Sequence, residues 1–300
     1  MIRTKSGAAA LSIASNSILI ALKLAAGAIT GSIAILTEAI HSLVDLVASV
    51  IAFISVRKAD LPADAEHPYG HEKVENLAAT IEGFLILVGA AVIIYEATHR
   101  LAVGASVESL GIGIAVMGFS VVANLVVSSI LSRRAREHDS AALEGDAAHL
   151  RTDAFTSLGV LVGLGLVEVT GAVAFDSITA LLVAAAIVWA GISIIRRSSR
   201  VLVDEVLPPD EMDRIEAAIA AARTPEVAGY HKLRARRAGS RRHIDFHVQY
   251  RSGTTLERAH ELAHQMRSSI EAEIHHAEVL IHVEPETSIR KSESGPYRSG

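Results

Sequence analysis

His41-Ser-Leu-Val-Asp45 and His149-Leu-Arg-Thr-Asp153 are two copies of one short pattern, each inside an otherwise apolar segment of membrane-spanning length. Residues four apart share one face of a helix, so each copy presents an imidazole and a carboxylate together. Two such helices facing each other would offer two nitrogen and two oxygen donors, which suits a tetrahedral divalent metal such as zinc. An aspartate near the bilayer centre costs about 2.5–3.5 kcal/mol on insertion scales, so its presence indicates a function. The pattern predicts an intramembrane metal site; the alternative is polar packing between helices.

The composition indicates a membrane half joined to a soluble half. Hydrophobic residues make up 50% of the chain and the mean hydropathy is +0.37, yet 20% of the residues are charged. The apolar residues lie almost entirely before Val203. There is no cysteine, which excludes disulfides, thiolate zinc sites and cysteine nucleophiles, so nitrogen and oxygen atoms must hold any metal. A net charge of −5 is too small to indicate a nucleic-acid partner.

Six segments are long and apolar enough to cross the hydrocarbon core as helices, which takes about 20 residues each. They cover about 8–29, 33–56, 74–98, 107–131, 141–169 and 175–195, and we expect them to form an all-α transmembrane domain over residues 1–203. Arginine and lysine concentrate before the first span, in the second and fourth loops, and after the last span. This bias predicts an integral protein of the cell (inner) membrane, within the lipid bilayer, with both termini in the cytoplasm.

A small α+β domain is predicted to follow, over residues 204–287. Pro208-Pro-Asp-Glu211 is typical of a helix start, and a second helix is expected over about 255–274. Strands are expected at about 229–236, 242–250 and 278–284, because apolar and polar residues alternate in the last two. The element order is therefore αββαβ, an open-faced two-layer unit. The polar stretch 288–300 is expected to be disordered.

Two further clusters of candidate metal ligands lie outside the spans. Asp64, His67 and His71 fall in the second loop, where they form either a second nitrogen and oxygen site or a polar loop that braces the helix ends. In the soluble domain, His247 lies on the polar side of its strand, and His282 shares a side with Glu284. The other histidines of this domain carry the alternative of being merely solvated, an interpretation favoured for His243, His264, His275 and His276.

At these residues the sequence resembles the cation diffusion facilitator family of divalent-metal exporters. The resemblance runs from the first helical hairpin to about Glu286, and it rests on the paired motifs, on the stretch from His67 to Glu75 (HPYGHEKVE) and on the αββαβ order, similar to metallochaperones and ferredoxins. It implies a transport site at His41, Asp45, His149 and Asp153, and a loop site at Asp64, His67 and His71. It also implies a binuclear site at a dimer interface, made by His231, His247, His260, His282 and Glu284.

The sequence therefore predicts a homodimeric exporter that exchanges cytoplasmic Zn²⁺ for external protons by alternating access, with Zn²⁺ bound in the cytoplasmic domain too. A histidine and aspartate pair on both helices resembles the zinc-selective branch, while aspartate-rich sites suit manganese or iron. The alternatives are the same transporter with iron, manganese, cobalt or cadmium as cargo, and a membrane metal sensor without transport. An intramembrane metalloenzyme would need an open metal position and a nearby base, which the sequence does not offer, so no catalysis is expected.

Overall fold

The computed structural model describes residues 4–30, 33–103, 111–170 and 174–288. The chain forms two compact units, residues 1–199 and 200–300, and each is described by itself. The sequence places this border at 203/204, whereas the structure places it inside the last turns of the sixth long helix. The predicted disordered tail lies outside the described residues from position 289 onward, as do positions 31–32, 107–110 and 171–173 of the predicted spans and their connections.

Each predicted span coincides with one long helix of the first unit. The described residues form α1 (Lys5–Thr30), α2 (Ile33–Ala59), α3 (Lys73–Val103), α4 (Gly111–His138), α5 (Ala141–Thr170) and α6 (Ala174–Leu202). The fourth and sixth helices continue seven residues past the predicted ends of their spans, through the arginines at 133, 134, 136, 196, 197 and 200. Arginine favours helix, so the apolar run ends before the helix does.

Among the described residues, three helical stretches qualify as candidate membrane spans by length and apolar composition alone: Lys5–Ala26, Lys73–His99 and Ser177–Leu202. Two of the remaining helices, α2 and α5, are the ones that carry the His-x-x-x-Asp motifs. The number of six spans stays a prediction from the sequence.

Small residues allow the helices of the first unit to approach one another closely. Alanines from several helices are fully buried, including Ala8, Ala48, Ala52, Ala90 and Ala142. Helices α3 and α6 meet at Gly83 and Gly191, and a Cβ atom on Gly83 would lie 2.7 Å from Cγ1 of Ile195. Such contacts between small residues are typical of membrane helix interfaces, where close packing replaces the hydrophobic effect.

The second unit has the predicted αββαβ order. Its elements are α7 (Pro209–Ala221), β1 (Val227–Ala238), β2 (Arg241–Tyr250), α8 (Leu256–Glu273) and β3 (Ala277–Pro285), followed by a short 3-10 turn. The sheet order is β1-β2-β3, with β1 and β2 antiparallel and β2 and β3 parallel. Proline at the start of α7 and the Thr255 cap, whose hydroxyl accepts from the Arg258 N–H, begin the two helices.

The alternation in β2 divides the sheet into an apolar and a polar face. Ile244, Phe246, Val248 and Tyr250 are buried against Met212, Ile215 and Ile219 of α7 and Leu262, Met266 and Ile270 of α8. Burying a large apolar side chain contributes about 1.5–3 kcal/mol, so this core stabilises the unit independently of the membrane helices. The opposite face carries Asp245 and His247, and this is the face on which metal ligands were expected.

A β-bulge at Lys232 changes the alternation of β1. His231 pairs with His247 and Arg234 pairs with Asp245, so two residues of β1 oppose only one of β2. Lys232 has a left-handed backbone, with φ at 55°. A regular strand would place His231 on the same face as Leu233, because side chains alternate with a period of two. The extra residue lets Leu233 enter the core while His231 remains on the polar face beside His247.

Candidate metal centres

Helices α2 and α5 bring together three of the four predicted transport ligands. Asp45, His149 and Asp153 each offer a ligand atom, and these atoms all lie within 4.8 Å of one another. Nε2 of His149 is 3.2 Å from Oδ1 of Asp45 and 4.0 Å from Oδ2 of Asp153. The side chains of Asp45 and His149 are buried, and that of Asp153 is partly buried. The i,i+4 spacing on α5 and the contact with α2 are the geometry that the two motifs predict.

His41, the fourth predicted ligand, lies in α2 one turn before Asp45, and its side chain lies outside the described part of the structure. Placing it at the site therefore remains a prediction from the helical spacing. The three described ligands are one nitrogen and two carboxylates, which is a donor set that zinc and other first-row metals accept.

The spacing of the three described ligands suits one small cation. Zinc ligands about 2.0–2.2 Å from the ion lie about 3.3–3.6 Å from one another in a tetrahedron. The two distances from His149 Nε2, 3.2 and 4.0 Å, bracket that range. Metal requires neutral imidazole and ionised carboxylate, so the ion and protons compete for the same atoms. A metal ion and protons would therefore exclude one another at this group.

A third, more deeply buried carboxylate, beside the two of this group, was not predicted from the sequence. Asp146 is fully buried on α5, and its Oδ1 accepts hydrogen bonds from the hydroxyls of Ser12 (3.1 Å) and Ser49 (3.0 Å). The amide of Asn16 donates to Ser49 Oγ at 2.9 Å and to the backbone oxygen of Asp45 at 3.4 Å. Asp146 precedes His149 by three residues, so the helical spacing was an available signal that it shares a face with His149.

The loop between α2 and α3 brings together all three of its predicted ligands. Nδ1 of His67 is 3.2 Å from Oδ1 of Asp64, and Nε2 of His71 is 3.3 Å from Oδ2 of the same carboxylate. The ring centroids of the two histidines lie 4.4 Å apart. Gly70 has φ at 86°, a conformation open to glycine, and its N–H donates to the His67 carbonyl to close the predicted turn.

Two backbone N–H groups donate hydrogen bonds to the Asp64 carboxylate. The N–H of His67 donates to Oδ1 of Asp64 at 2.6 Å, and the N–H of Glu66 donates to the same atom at 3.0 Å. These backbone hydrogen bonds, the one from His67 first, lower the pKa of the Asp64 carboxyl. Asp64 is exposed and His71 is buried, so the group is open to ions from one side.

In the second unit, His231, His247 and Glu284 come from three different strands and form one group of possible ligands. Nδ1 of His247 is 2.6 Å from Oε1 of Glu284, and Nε2 of His231 is 3.4 Å from Oε2. Within the described structure, the buried Nδ1 of His231 has no hydrogen-bond partner. Two imidazoles and one carboxylate are ligands that zinc accepts, and Nδ1 of His231, unpaired among the described residues, leaves a nitrogen available for such an ion.

The other two predicted ligands of this unit differ in their positions. His282 lies opposite His247 in the register, with ring centroids 4.7 Å apart, and its exposed side chain reaches to 3.5 Å from Glu284. His260 lies on α8 beside His264, with ring centroids 4.5 Å apart. The three-ligand groups found among the described residues do not include His260. Its predicted role therefore stays tied to a second subunit.

Two family models match the chain over most of its length. The one described as "Cation efflux transmembrane domain" matches residues 9–203, and the one described as "Cation efflux protein, cytoplasmic domain" matches residues 207–286. Together they cover both units of the structure, and the boundary between them falls in the stretch that precedes α7.

Two known bacterial proteins align with nearly the whole chain. The uncharacterized transporter sll1263 of Synechocystis sp. is 36% identical over 277 residues, which cover 92% of this chain and 89% of the relative. The cation-efflux pump FieF of Shewanella oneidensis is 32% identical over 274 residues, with 91% and 92% covered. A solved structure of CzrB, described as a candidate zinc transporter in its zinc form, shares 34% identity and covers 29% of this chain and 99% of its own, with a TM-score of 0.28. The chain belongs to the cation efflux family, the cation diffusion facilitators, which is a family of transporters, and it carries that family's cytoplasmic domain.

Proposed function

We propose that the protein is an exporter of divalent metal cations that exchanges cytoplasmic Zn²⁺ for external protons. The observation that carries this proposal is the buried group of Asp45, His149 and Asp153, held between two helices of membrane-spanning length. Buried carboxylates are costly unless a cation or proton offsets them, so their clustering favours a site that always holds one or the other.

The exchange follows from competition at the same atoms. On the cytoplasmic side, a metal ion displaces protons from His149 and the two aspartates, because only their deprotonated forms bind metal. On the opposite side, a higher proton concentration displaces the ion. Alternating access would carry the loaded site between the two sides by moving one group of helices against another. The small residues at the α3–α6 contact are compatible with such sliding.

We propose the arrangement in the cell from the same features. Both termini would lie in the cytoplasm of a cell with the protein in its inner membrane, because arginines and lysines concentrate on that side. The cytoplasmic domain would pair two copies of the chain. Metal at the group of His231, His247 and Glu284 would then favour one dimer arrangement and regulate transport. Unchanged metal dependence after joint replacement of His231, His247 and His282 would argue against this regulation.

The proposed preference for zinc rests on the predicted pairing of one imidazole with one carboxylate on each helix. Nitrogen donors favour zinc over harder cations such as manganese. Replacing His41 with Asp would make the site richer in oxygen, and we expect it to broaden the range of metals carried. An unchanged order of zinc, iron, manganese, cobalt and cadmium fluxes in proteoliposomes would count against the imidazole as the selective ligand.

The direct test is zinc flux into or out of proteoliposomes under an imposed pH gradient. We expect wild-type protein to move zinc, and Asp45→Ala and Asp153→Ala to lower the flux by more than about tenfold, since even outer-shell substitutions cost 10–100-fold in affinity. Asp213→Ala, at an exposed position on α7, is the matched control and should transport like wild type. Normal flux in both membrane variants would rule out this site as the carrier.

A further inference from the structure

Glu82 is a fully buried carboxyl group in the first third of α3 that the proposed transport site does not use. Its relative exposure is 0%, and within the described structure neither carboxyl oxygen has a hydrogen-bond partner. An ionised carboxylate in such surroundings is strongly unfavourable, and in practice the group takes up a proton instead. These surroundings therefore favour the protonated, neutral form of Glu82, which can release its proton when the surroundings change.

The carboxyl group of Glu82 lies directly against the segment of α5 that carries Asp146. A Cβ atom on Gly145 would come within 2.0 Å of Oε2 of Glu82, so only glycine leaves room for the acid at this point. Glu82 and Asp146 interact electrostatically, and Oδ2 of Asp146 also lacks a hydrogen-bond partner among the described residues. Two buried carboxyl groups that interact electrostatically do not both ionise readily, so we expect the pair to hold at least one proton.

A small cavity lies on the other side of Glu82, between α3, α5 and α6. It has a volume of about 40 Å³ and is lined by Ala79, Gly145, Ser193 and Ser198, with the ion pair of Glu144 and Arg197 in its wall. Gly145 both lines the cavity and lies against the Glu82 carboxyl, so the acid lies just behind this part of the cavity wall. A space of this size whose lining includes two serine hydroxyls and an ion pair can hold water. Its position at the arginine-rich end of α6 places it toward the proposed cytoplasmic side.

On the inner side, a chain of polar groups leads from Asp146 to the metal group. The hydroxyls of Ser12 and Ser49 donate to Asp146, and their oxygens lie 2.9 Å apart. Asn16 links Ser49 to the backbone of Asp45. The Asp45 side chain in turn contacts His149. Buried polar groups thus continue from Asp146 to the proposed transport site, while Glu82 interacts with Asp146 without a hydrogen bond in the described part of the chain and lies against Gly145 of the cavity wall.

We propose that Glu82 and Asp146 form a proton-binding carboxyl pair, separate from the metal ligands, that conducts protons between the transport site and the cavity. This inference rests on the proposed function. When a metal ion displaces a proton from the site, the proton binds a carboxylate oxygen of the pair. The O–H bond of Glu82 then breaks, and its proton passes to water in the cavity. The charged and titratable groups around the pair are Asp45 and His149 on one side and Glu144 and Arg197 on the other.

The test uses full-length protein in proteoliposomes and the variants Glu82→Gln and Asp146→Asn, which keep the shape of the side chain and remove the acid. The exposed Glu137→Gln on α4 is the matched control. We expect Glu82→Gln to lower zinc flux driven by a pH gradient by at least about tenfold, the loss expected for a missing proton-transfer group. Zinc–zinc exchange at equal pH should stay at the wild-type level, and Glu82→Asp should restore part of the driven flux.

Infrared spectroscopy of the purified protein gives a second readout that does not depend on transport. Wild type should show the carbonyl band of a protonated carboxyl, and Glu82→Gln should lose it. Unchanged pH-driven flux in both variants would overturn the proposal. Equal loss of driven flux and zinc–zinc exchange, with no recovery in Glu82→Asp, would also overturn it, because the residue would then serve only the structure. If Glu82→Gln does not fold, Asp146→Asn carries the flux test, and the absence of a protonated-carboxyl band from the wild type would overturn the proposal.

The same experiment separates this inference from the proposed function. Wild-type vesicles that carry no zinc under any gradient would refute the exporter itself. Vesicles in which wild type and both variants exchange zinc for protons equally would leave the exporter standing and refute only the carboxyl pair.

Discussion

Asp45 and His149 lie 104 positions apart in the sequence, yet their side chains meet at 3.2 Å between Oδ1 and Nε2. The contact joins α2 to α5 at a buried position, and Asp153 lies one turn further along α5. Three charged or chargeable groups in so small a space require a cation or protons, which ties the stability of this region to its occupancy.

The first prediction concerns the charge of Asp45. Asp45→Asn keeps the shape and an oxygen donor but removes the negative charge, so we expect zinc affinity at the membrane group to fall by about tenfold or more. The measurement is equilibrium binding of radioactive zinc to purified protein. In this protein, Asp64→Asn and Glu284→Gln each remove a carboxylate ligand, from the loop site and from the cytoplasmic site respectively, so that binding reports on the membrane site. Asp213→Asn in the same background should bind like its parent. Equal affinity in the Asp45 variant would show that its carboxylate does not hold the ion.

The second prediction concerns the cytoplasmic group, which consists of His231, His247 and Glu284 in the second unit. In a fragment covering residues 204–288, which has its own hydrophobic core, Glu284→Gln should weaken zinc binding by about tenfold or more because one charged ligand is lost. Glu278→Gln is the matched control on the same strand and the same face, where the carboxylate contacts His243 instead. Calorimetric titration of both fragments with zinc measures the difference. Similar affinities in the two variants would remove Glu284 from the set of ligands.

The third prediction concerns the loop group, which consists of Asp64, His67 and His71 between α2 and α3. Asp64→Asn should abolish most metal binding there, because this carboxylate contacts both histidines. Glu66→Gln is the control, since Glu66 contributes its backbone N–H to Asp64. Because backbone hydrogen bonds lower the pKa of Asp64, its carboxylate stays charged to a lower pH than it would without them. The measurement is the number of zinc ions bound per protein molecule, in protein that also carries Asp45→Asn and Glu284→Gln to weaken zinc binding at the other two groups.

The fourth prediction is a change of stability with pH. Burial raises the pKa of Tyr250 to about 12. The unfolded chain loses this proton near pH 10, so the stability that the buried neutral phenol contributes is present below about pH 10 and is lost between about pH 10 and pH 12. Tyr250→Phe should remove this part of the decline in urea unfolding of the 204–288 fragment.

The same substitution has an expected effect at neutral pH. The Tyr250 hydroxyl is buried and lacks a hydrogen-bond partner within the described structure, so its removal should leave the fragment equally or more stable. Tyr230→Phe is the control and should keep the alkaline decline. Marked destabilisation by Tyr250→Phe at neutral pH would mean that the hydroxyl has a partner in solution.

The fifth prediction concerns the bulge in β1. Lys232 has φ at 55°, which costs a non-glycine residue roughly 1–2 kcal/mol. Lys232→Gly should therefore raise the free energy of unfolding of the fragment by up to about 1 kcal/mol and leave zinc affinity unchanged. Lys232→Val, a β-branched residue that disfavours this backbone, should destabilise it. Lower stability in the glycine variant would show that the lysine side chain matters more than the backbone.

Much of this architecture could be predicted from the sequence because the signals are local. The i,i+4 motifs placed Asp45, His149 and Asp153 on the facing sides of their helices, and the alternation from Ile244 to Tyr250 defined both faces of the sheet. The αββαβ order follows from the same periodicity together with the proline-rich start of α7. Each of these signals depends on residues that are neighbours along the chain.

The features that the sequence did not reveal depend on contacts between distant segments. Alternation alone would turn His231 into the core, and only the bulge at Lys232 brings it to His247. Glu82 and Asp146 look like ordinary polar residues of helices until the packing of α3 on α5 shows that both are fully buried. His260 lies on α8 beside His264 and belongs to none of the three-ligand groups among the described residues, so its predicted role in metal binding relies on a second copy of the chain.

The three ligands of the cytoplasmic group belong to the first, second and last strands of the sheet. An ion held by His231, His247 and Glu284 would link β3 to β1 and β2. Loss of that ion would make it easier for β3 to detach from the sheet. Cellular proteases preferentially attack loosened ends, so the lifetime of the protein would lengthen when metal is abundant and shorten when it is scarce. The abundance of the exporter would then follow its own cargo without any change in gene expression.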